Sequence, residues 1–150
     1  MISIKKAAVK GFTIVELLIV IVVIGILAAL VVVTYNGIQQ KARDTERKTD
    51  INALHGQLEA YQAQNGKYPT LANVNDTAFR STDMKGLDAA ALQDPKGTAQ
   101  TLVDTPAANE YAYVAAPAGC DDLVGGTDCT SYALTATLEG GGTYVKQSLN

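Results

Sequence analysis

From Phe12 to Val33 the chain is apolar at every position except Thr13, Glu16 and Gly25. These 22 residues are long enough to cross a bilayer core as a helix rising about 1.5 Å per residue. Gln39 to Asp50, QQKARDTERKTD, is then polar almost all round. Such a segment holds as helix only with side-chain pairs or packed flanks to support it. Asp44–Lys48, Arg43–Glu46 and Arg47–Asp50 have the right spacing, each pair adding about 0.2–0.5 kcal/mol, and predict a solvated helical spacer. Ile51, Leu54, Leu58 and Tyr61 come next, on one face at helical period. That stripe needs a surface to pack on, so a globular part begins here. Asn65-Gly66 supplies a stop, with Pro69 three residues beyond the glycine. Gly25, Gly37 and Gly56 lie inside the predicted helix, each weakening it by up to about 1 kcal/mol.

Thr70 to Ala108 is rich in small and polar residues and reads as a looping region. One short helix is predicted within it, Gly86 to Leu92, ended by Asp94-Pro95. Three strands complete the chain. Glu110 to Ala116 alternates Tyr111 and Tyr113 against Ala112 and Val114. Thr130 to Leu138 places Tyr132, Leu134, Ala136 and Leu138 on one face. Glu139 to Gly142 is a turn, and Thr143 to Leu149 returns as its hairpin partner. An antiparallel sheet with one face on Ile51, Leu54, Leu58 and Tyr61 makes the class α+β. The expected division is a leader over 1–11, a membrane helix and polar spacer over 12–50, and a globular head over 51–150.

Charge adds an orientation. Lys5, Lys6 and Lys10 precede the apolar run and no acid does. Bases on that side hold the N-terminus in the cytoplasm and export the chain beyond the run. The run exceeds the roughly 7–15 apolar residues of a secretory signal, and Thr34-Tyr35-Asn36-Gly37 is no small-x-small cleavage site. Net charge is −3; without the three leading lysines the remainder is more acidic still, which argues against a general nucleic-acid surface. One histidine, two cysteines and no tryptophan are a poor inventory for metal or acid–base chemistry.

A plain membrane anchor leaves Glu16 unexplained, because an acid inside a bilayer is costly and usually pairs. Cutting the chain after Gly11 would free an α-amine at Phe12, four residues from Glu16. With a pKa of about 7.7–8.0 it is largely cationic at neutral pH. Pairing with Glu16 of a neighbouring copy would neutralise both in an apolar bundle. The residues Gly11-Phe12-Thr13-Ile14-Val15-Glu16-Leu17, behind a short basic leader and ahead of an apolar run, resemble the type IV prepilin signature. Pilins, the pseudopilins of type II secretion and competence pilins share it. The resemblance covers Lys5 to about Pro69.

The family implies the pilin fold, with the second half of a long N-terminal helix packed on a small antiparallel sheet. It implies cleavage between Gly11 and Phe12 by a membrane prepilin peptidase, N-methylation of Phe12, and Glu16 as the residue that sets register in assembly. Its implied partners are copies of the chain itself, minor pilins, an inner-membrane assembly platform and, before assembly, membrane lipid. DNA is a partner within the family that these residues do not indicate. The implied route runs from a single-pass precursor in the cytoplasmic membrane to a pilus at the cell surface, serving adhesion, motility or DNA uptake. A type II secretion pseudopilin is the alternative, and a membrane-anchored binding domain that never assembles is a more distant one. An enzyme is not expected, since no nucleophile–base pair or ligand cluster appears. For Gln39 to Asp50 the family offers a second reading, a charged contact between subunits. Many pilins carry a helix-breaking proline where this chain has Val33. Gly66-Lys67-Tyr68-Pro69 and Asp94-Pro95-Lys96-Gly97 resemble segments of major pseudopilins, which usually have an aromatic at the position of Lys96.

Cys120 and Cys129 in an exported head are expected to form one disulfide. The rival reading of that loop is calcium at Asp121, Asp122 and Asp128, for which pseudopilins offer a precedent, although the spacing matches no standard loop; no other cofactor or metal is expected. His55 reads as a boundary residue beside the helix stripe. Asn75-Asp76-Thr77 matches a glycosylation sequon at a frequency chance supplies.

Overall fold

The apolar run, the polar segment and the stripe join in one helix. In a computed structural model that describes residues 11–121 and 125–150, α1 covers Ile14–Asn65. It is followed by α2 (Leu71–Asn75), α3 (Thr77–Asp83), a 3-10 helix (Ala89–Leu92), and strands β1 (Tyr111–Ala116), β2 (Ser131–Thr137) and β3 (Thr143–Gln147). The chain separates into two compact units, one ending at Gln39 and the other Gln40–Asn150.

In the first unit α1 is long and apolar enough to cross a membrane. Its side chains from Ile14 to Val33 are exposed on every side of the helix.

The second unit is the head. Ile51, Leu54, Leu58 and Tyr61 are buried as the stripe predicts. Ile51, Leu54 and Leu58 join the core with Tyr132, Leu134 and Ala136 of β2, and Tyr61 packs against Phe79, ring centres 5.4 Å apart. The sheet order is β1-β2-β3, antiparallel throughout, with Tyr113 opposite Leu134 and Leu134 opposite Lys146. Alternation in β2 is clean, and Leu138 falls just beyond the strand end. β1 departs from alternation: Tyr111, Ala112 and Tyr113 are all buried. At this edge Val103 bridges to Ala112 in parallel, with bonds from Val103 N to Tyr111 O and from Tyr113 N to Val103 O.

The segment after Pro69 holds more helix than its composition predicts. Thr70 caps α2 by accepting from Asn73 N, and Asp76 caps α3 by accepting from Ala78 N. These helices are too short to show a period, and their buried anchors are Val74 and Arg80. The 3-10 helix lies at the end of the predicted Gly86–Leu92 helix. The turn at Asp94-Pro95-Lys96-Gly97 closes through Gly97 N to Asp94 O at 2.7 Å.

Candidate functional site

The first candidate lies at the start of α1. Gly11 and Phe12 are exposed and precede the helix, which begins at Ile14. Thr13 N and Thr13 Oγ1 donate to Glu16 Oε2 at 2.8 and 2.7 Å, and Glu16 N donates back to Thr13 Oγ1 at 3.2 Å. This is a capping box: threonine and glutamate three residues apart satisfy donors that a helix start leaves without partners. Reasoning that concentrates on the charge of Glu16 misses it, although Thr-x-x-Glu is its ordinary sequence signal. Both donors use Oε2, and no hydrogen bond to Oε1 is found among the described residues. Lys5, Lys6 and Lys10 lie outside the described residues.

The second candidate is a cluster of charges in the head. The polar segment before the stripe is not simply a solvated spacer, because Arg47 lies four residues before Ile51 on the same face and is fully buried. Its Nε and Nη2 donate to Asp94 Oδ2 and Oδ1 at 2.6 and 2.9 Å, a two-pronged pair with both side chains about 1% exposed. Its Nη1 donates to Asp44 Oδ1 at 2.8 Å and to Glu139 Oε1 at 2.9 Å. Arg43 grips both oxygens of Glu139 at 2.6 and 2.7 Å, and Lys96 Nζ reaches Oε2 at 2.7 Å. Asp44 in turn accepts from the backbone of Glu139 and Gly140 at 2.8 and 2.9 Å.

Three cations and three carboxylates thus close on one another. They fasten the Asp94 turn and the β2–β3 turn to α1. Arg43 and Lys96 hold the Glu139 carboxyl well below the usual range. Arg43 and Arg47 turn to these acids rather than to Glu46 and Asp50, the partners expected from their helical spacing, because two-pronged charge-assisted pairs are the stronger bonds. Beside the cluster, Tyr111 Oη donates to Asp50 at 2.7 Å. Burial pushes Asp50 up to about 6 against that bond, with Glu46, Asp94 and Asp88 adding to the rise.

His55 sits half-buried at the boundary, as expected, but an acid is nearby. Glu59 is one turn on, 3.9 Å away. Tyr132 Oη lies 2.6 Å from His55 Nδ1 and donates to Glu59 Oε1 at 2.8 Å, while Tyr68 Oη donates to Oε2 at 2.9 Å. Leu149 N also reaches Glu59, at 3.2 Å, so the cluster holds down the C-terminal end. Asn75 of the sequon is committed internally: its Nδ2 donates to Leu102 O at 2.9 Å and its Oδ1 accepts from Leu102 N at 2.8 Å.

Cys120 and Cys129 are joined, with Cα atoms 5.0 Å apart. Cys129 is buried, and its carbonyl accepts from Tyr68 N at 2.8 Å, tying the bridge to the segment after α1. Of the three aspartates read as a calcium site, Asp122 lies outside the described residues. Asp128 pairs with Lys67 at 2.9 Å. Among the described residues no group of three or more side chains is placed to hold a metal.

Comparison with known proteins bears on the first candidate most directly. The family profile for the prokaryotic N-terminal methylation motif matches residues 6–32. The chain is 34% identical over 105 residues to type II secretion system core protein G of Escherichia coli (strain K12), covering 70% of this chain and 71% of that protein. With the Vibrio cholerae core protein G it shares 34% over 113 residues, covering 69% of each. With the type IV major pilin protein PilA of Myxococcus xanthus it shares 34% over 64 residues, 43% of this chain and 29% of that one. No solved structure gives a significant match.

Proposed function

Since the chain belongs to the type IV pilin family, whose members are structural subunits rather than enzymes, we propose that it is an exported filament subunit that polymerises through the apolar part of α1. The carrying observation is the exposure of every side chain from Ile14 to Val33 around a single acid. Apolar surface of that extent is stable only in lipid or against other apolar helices. Lipid serves the precursor, and further copies serve the filament.

The same reading assigns Gly11 and Phe12 to processing. An exposed, non-helical bond just ahead of the helix suits a membrane peptidase, and the new amine of Phe12 would then carry a methyl group. Glu16 keeps one oxygen for the cap of its own helix and offers the other to the Phe12 amine of a neighbouring copy. The filament is a type IV pilus, assembled with minor pilins on an inner-membrane platform and displayed outside the cell. A second reading, a pseudopilus subunit of a type II secretion system, is favoured by the similarity to core protein G over two thirds of the chain.

Mass spectrometry of the mature protein tests the processing step. The chain should begin at Phe12 and carry one added methyl group; a start beyond Val33 would refute assembly through this helix. Deleting the gene separates the two filaments. Loss of surface fibres with normal secretion identifies a pilus, and loss of secreted enzymes without loss of fibres identifies a pseudopilus.

A further inference from the structure

We infer that Lys48, Tyr144 and Lys146 form a docking face on the head, and that its occupant is the flank of a second copy of this chain carrying Glu46, Asp50 and Asp88. The inference rests on the filament reading and adds the contact by which one head selects the next.

The two flanks derive from the burial of Arg47. Successive residues of an α-helix are rotated by about 100°, so Glu46 and Lys48 project to opposite sides of an arginine that points into the core. Asp50, one turn beyond Glu46, shares its flank. Asn52, one turn beyond Lys48, shares the other.

On the basic flank, Lys48 Nζ lies 5.9 Å and Lys146 Nζ 6.0 Å from the centre of the Tyr144 ring. Tyr144 Oη donates to Asn52 Oδ1 at 3.1 Å, which fixes the half-buried ring beside α1. Neither lysine is within 4.0 Å of a carboxylate among the described residues. The acidic flank is the converse. Glu46 and Asp88 are exposed, and neither they nor Asp50 forms an ion pair among the described residues. Lys85, three residues before Asp88, forms no ion pair with them among the described residues. Burial is the first cause of the raised Asp50 pKa, and Glu46, Asp94 and Asp88 add to it. Between the flanks, the Arg47 cluster consumes its own charges and answers neither side.

The choice of occupant comes from charge and symmetry. From Gln40 onward the chain holds 9 basic and 14 acidic residues, and an acidic body repels nucleic acid. A second copy brings the complementary flank on the same rigid head. A two-fold contact would set lysine against lysine, whereas joining opposite flanks is head-to-tail and propagates as an open helix. The aromatic ring between two cations gives the contact an apolar centre with a charged rim.

The test is charge exchange in the full-length protein, expressed in cells lacking the native copy. Lys48→Glu alone and Glu46→Lys alone should each lower surface filaments at least about tenfold, the change expected from one like-charge juxtaposition per subunit. Both residues are exposed and without ion pairs, so thermal unfolding and membrane levels should stay near those of the parent. The double variant Lys48→Glu with Glu46→Lys should restore filaments, which a purely structural role for either residue would not do. Normal filaments from Lys48→Glu, or a double variant no better than the singles, would overturn the contact. If the parent itself shows no surface filaments, the pilus reading falls. The contact is then decided in membranes by a short bismaleimide with Glu46→Cys and Lys48→Cys combined: a ladder of linked chains retains it, and linkage no greater than in either single variant overturns it.

Discussion

α1 does two different jobs with one backbone geometry. Up to Gln39 its apolar side chains point in all directions and remain exposed. From Gln40 a single face carries Arg47, Ile51, Leu54, Leu58 and Tyr61, and all five are buried. The first stretch needs a partner from outside the chain, while the second finds its partner in its own strands. The charges divide in the same way. Glu16 is satisfied within three residues of itself through Oε2, and its Oε1 accepts no hydrogen bond among the described residues. Arg47 is satisfied entirely by the chain, at separations of up to 92 residues. On the proposed reading the spare oxygen of Glu16 serves assembly, whereas Arg47, with its donors taken up inside the head, serves the core.

The sharpest way to break this contrast is Glu16→Gln. Glutamine also serves in a capping box, so the helix start should survive while the charge disappears. A filament would then bury the Phe12 amine without its counter-charge, at a cost of about 3–5 kcal/mol. Surface filaments should fall to near zero, with cleavage after Gly11 and membrane levels near normal on an immunoblot. Normal filaments would mean that Glu16 acts only as a cap. Glu16→Asp should be intermediate, since the charge stays and the reach shortens.

Arg47→Ala is the matching experiment in the head. It strands Asp94 in a buried site and should cost about 3–5 kcal/mol, read as a lower midpoint in urea by tyrosine near-UV circular dichroism. A loss under about 1 kcal/mol would show that water replaces the guanidinium and that the cluster is not closed. Replacing Cys120 and Cys129 together by serine should cost less, roughly 2–3 kcal/mol for a loop of this length. Protease digestion of the variant should then cut the head before α1.

Much of this contrast is legible in the sequence, and the exceptions have physical causes. The stripe of Ile51, Leu54, Leu58 and Tyr61 and the alternation of β2 are local, periodic patterns, and the structure obeys them. α2 and α3 are not legible because each is carried by one cap, Thr70 or Asp76, and by too few buried residues to show a period. Arg47 reads as one more charge in a polar segment, since Asp94 and Glu139 lie 47 and 92 residues away and nothing nearby marks them as its partners. Thr13 is in plain view beside Glu16, but a motif that already has one explanation hides its second.

The smallest effect expected is at Asp50. Its folded pKa of about 6 lies above the roughly 3.9 of an unfolded aspartate, so its protonated form suits the fold. The stability it contributes is full below pH about 3.9 and is lost as pH rises through 6. Asp50→Asn should therefore raise the melting temperature by roughly 2–5 °C at pH 7 and change little at pH 4. A gain of the same size at both values would attribute it to something other than the charge. Glu139 has the opposite sign: its depressed carboxyl stabilises the head above the usual carboxylate range, and that contribution fades on acidification.

The span between Arg47 and its partners also sets a timetable. A chain made at about 5–20 residues per second carries Arg47 for roughly 5–18 s before Glu139 exists. Through that interval β2 is missing from the stripe and the hairpin is missing from the guanidinium. A nascent or truncated head that stops short of Ser131 therefore presents an oily helix face with a half-answered cation beside it. The closing hairpin is the last part to arrive, so the head is either finished or conspicuously unfinished, and proteases and chaperones can tell the two apart.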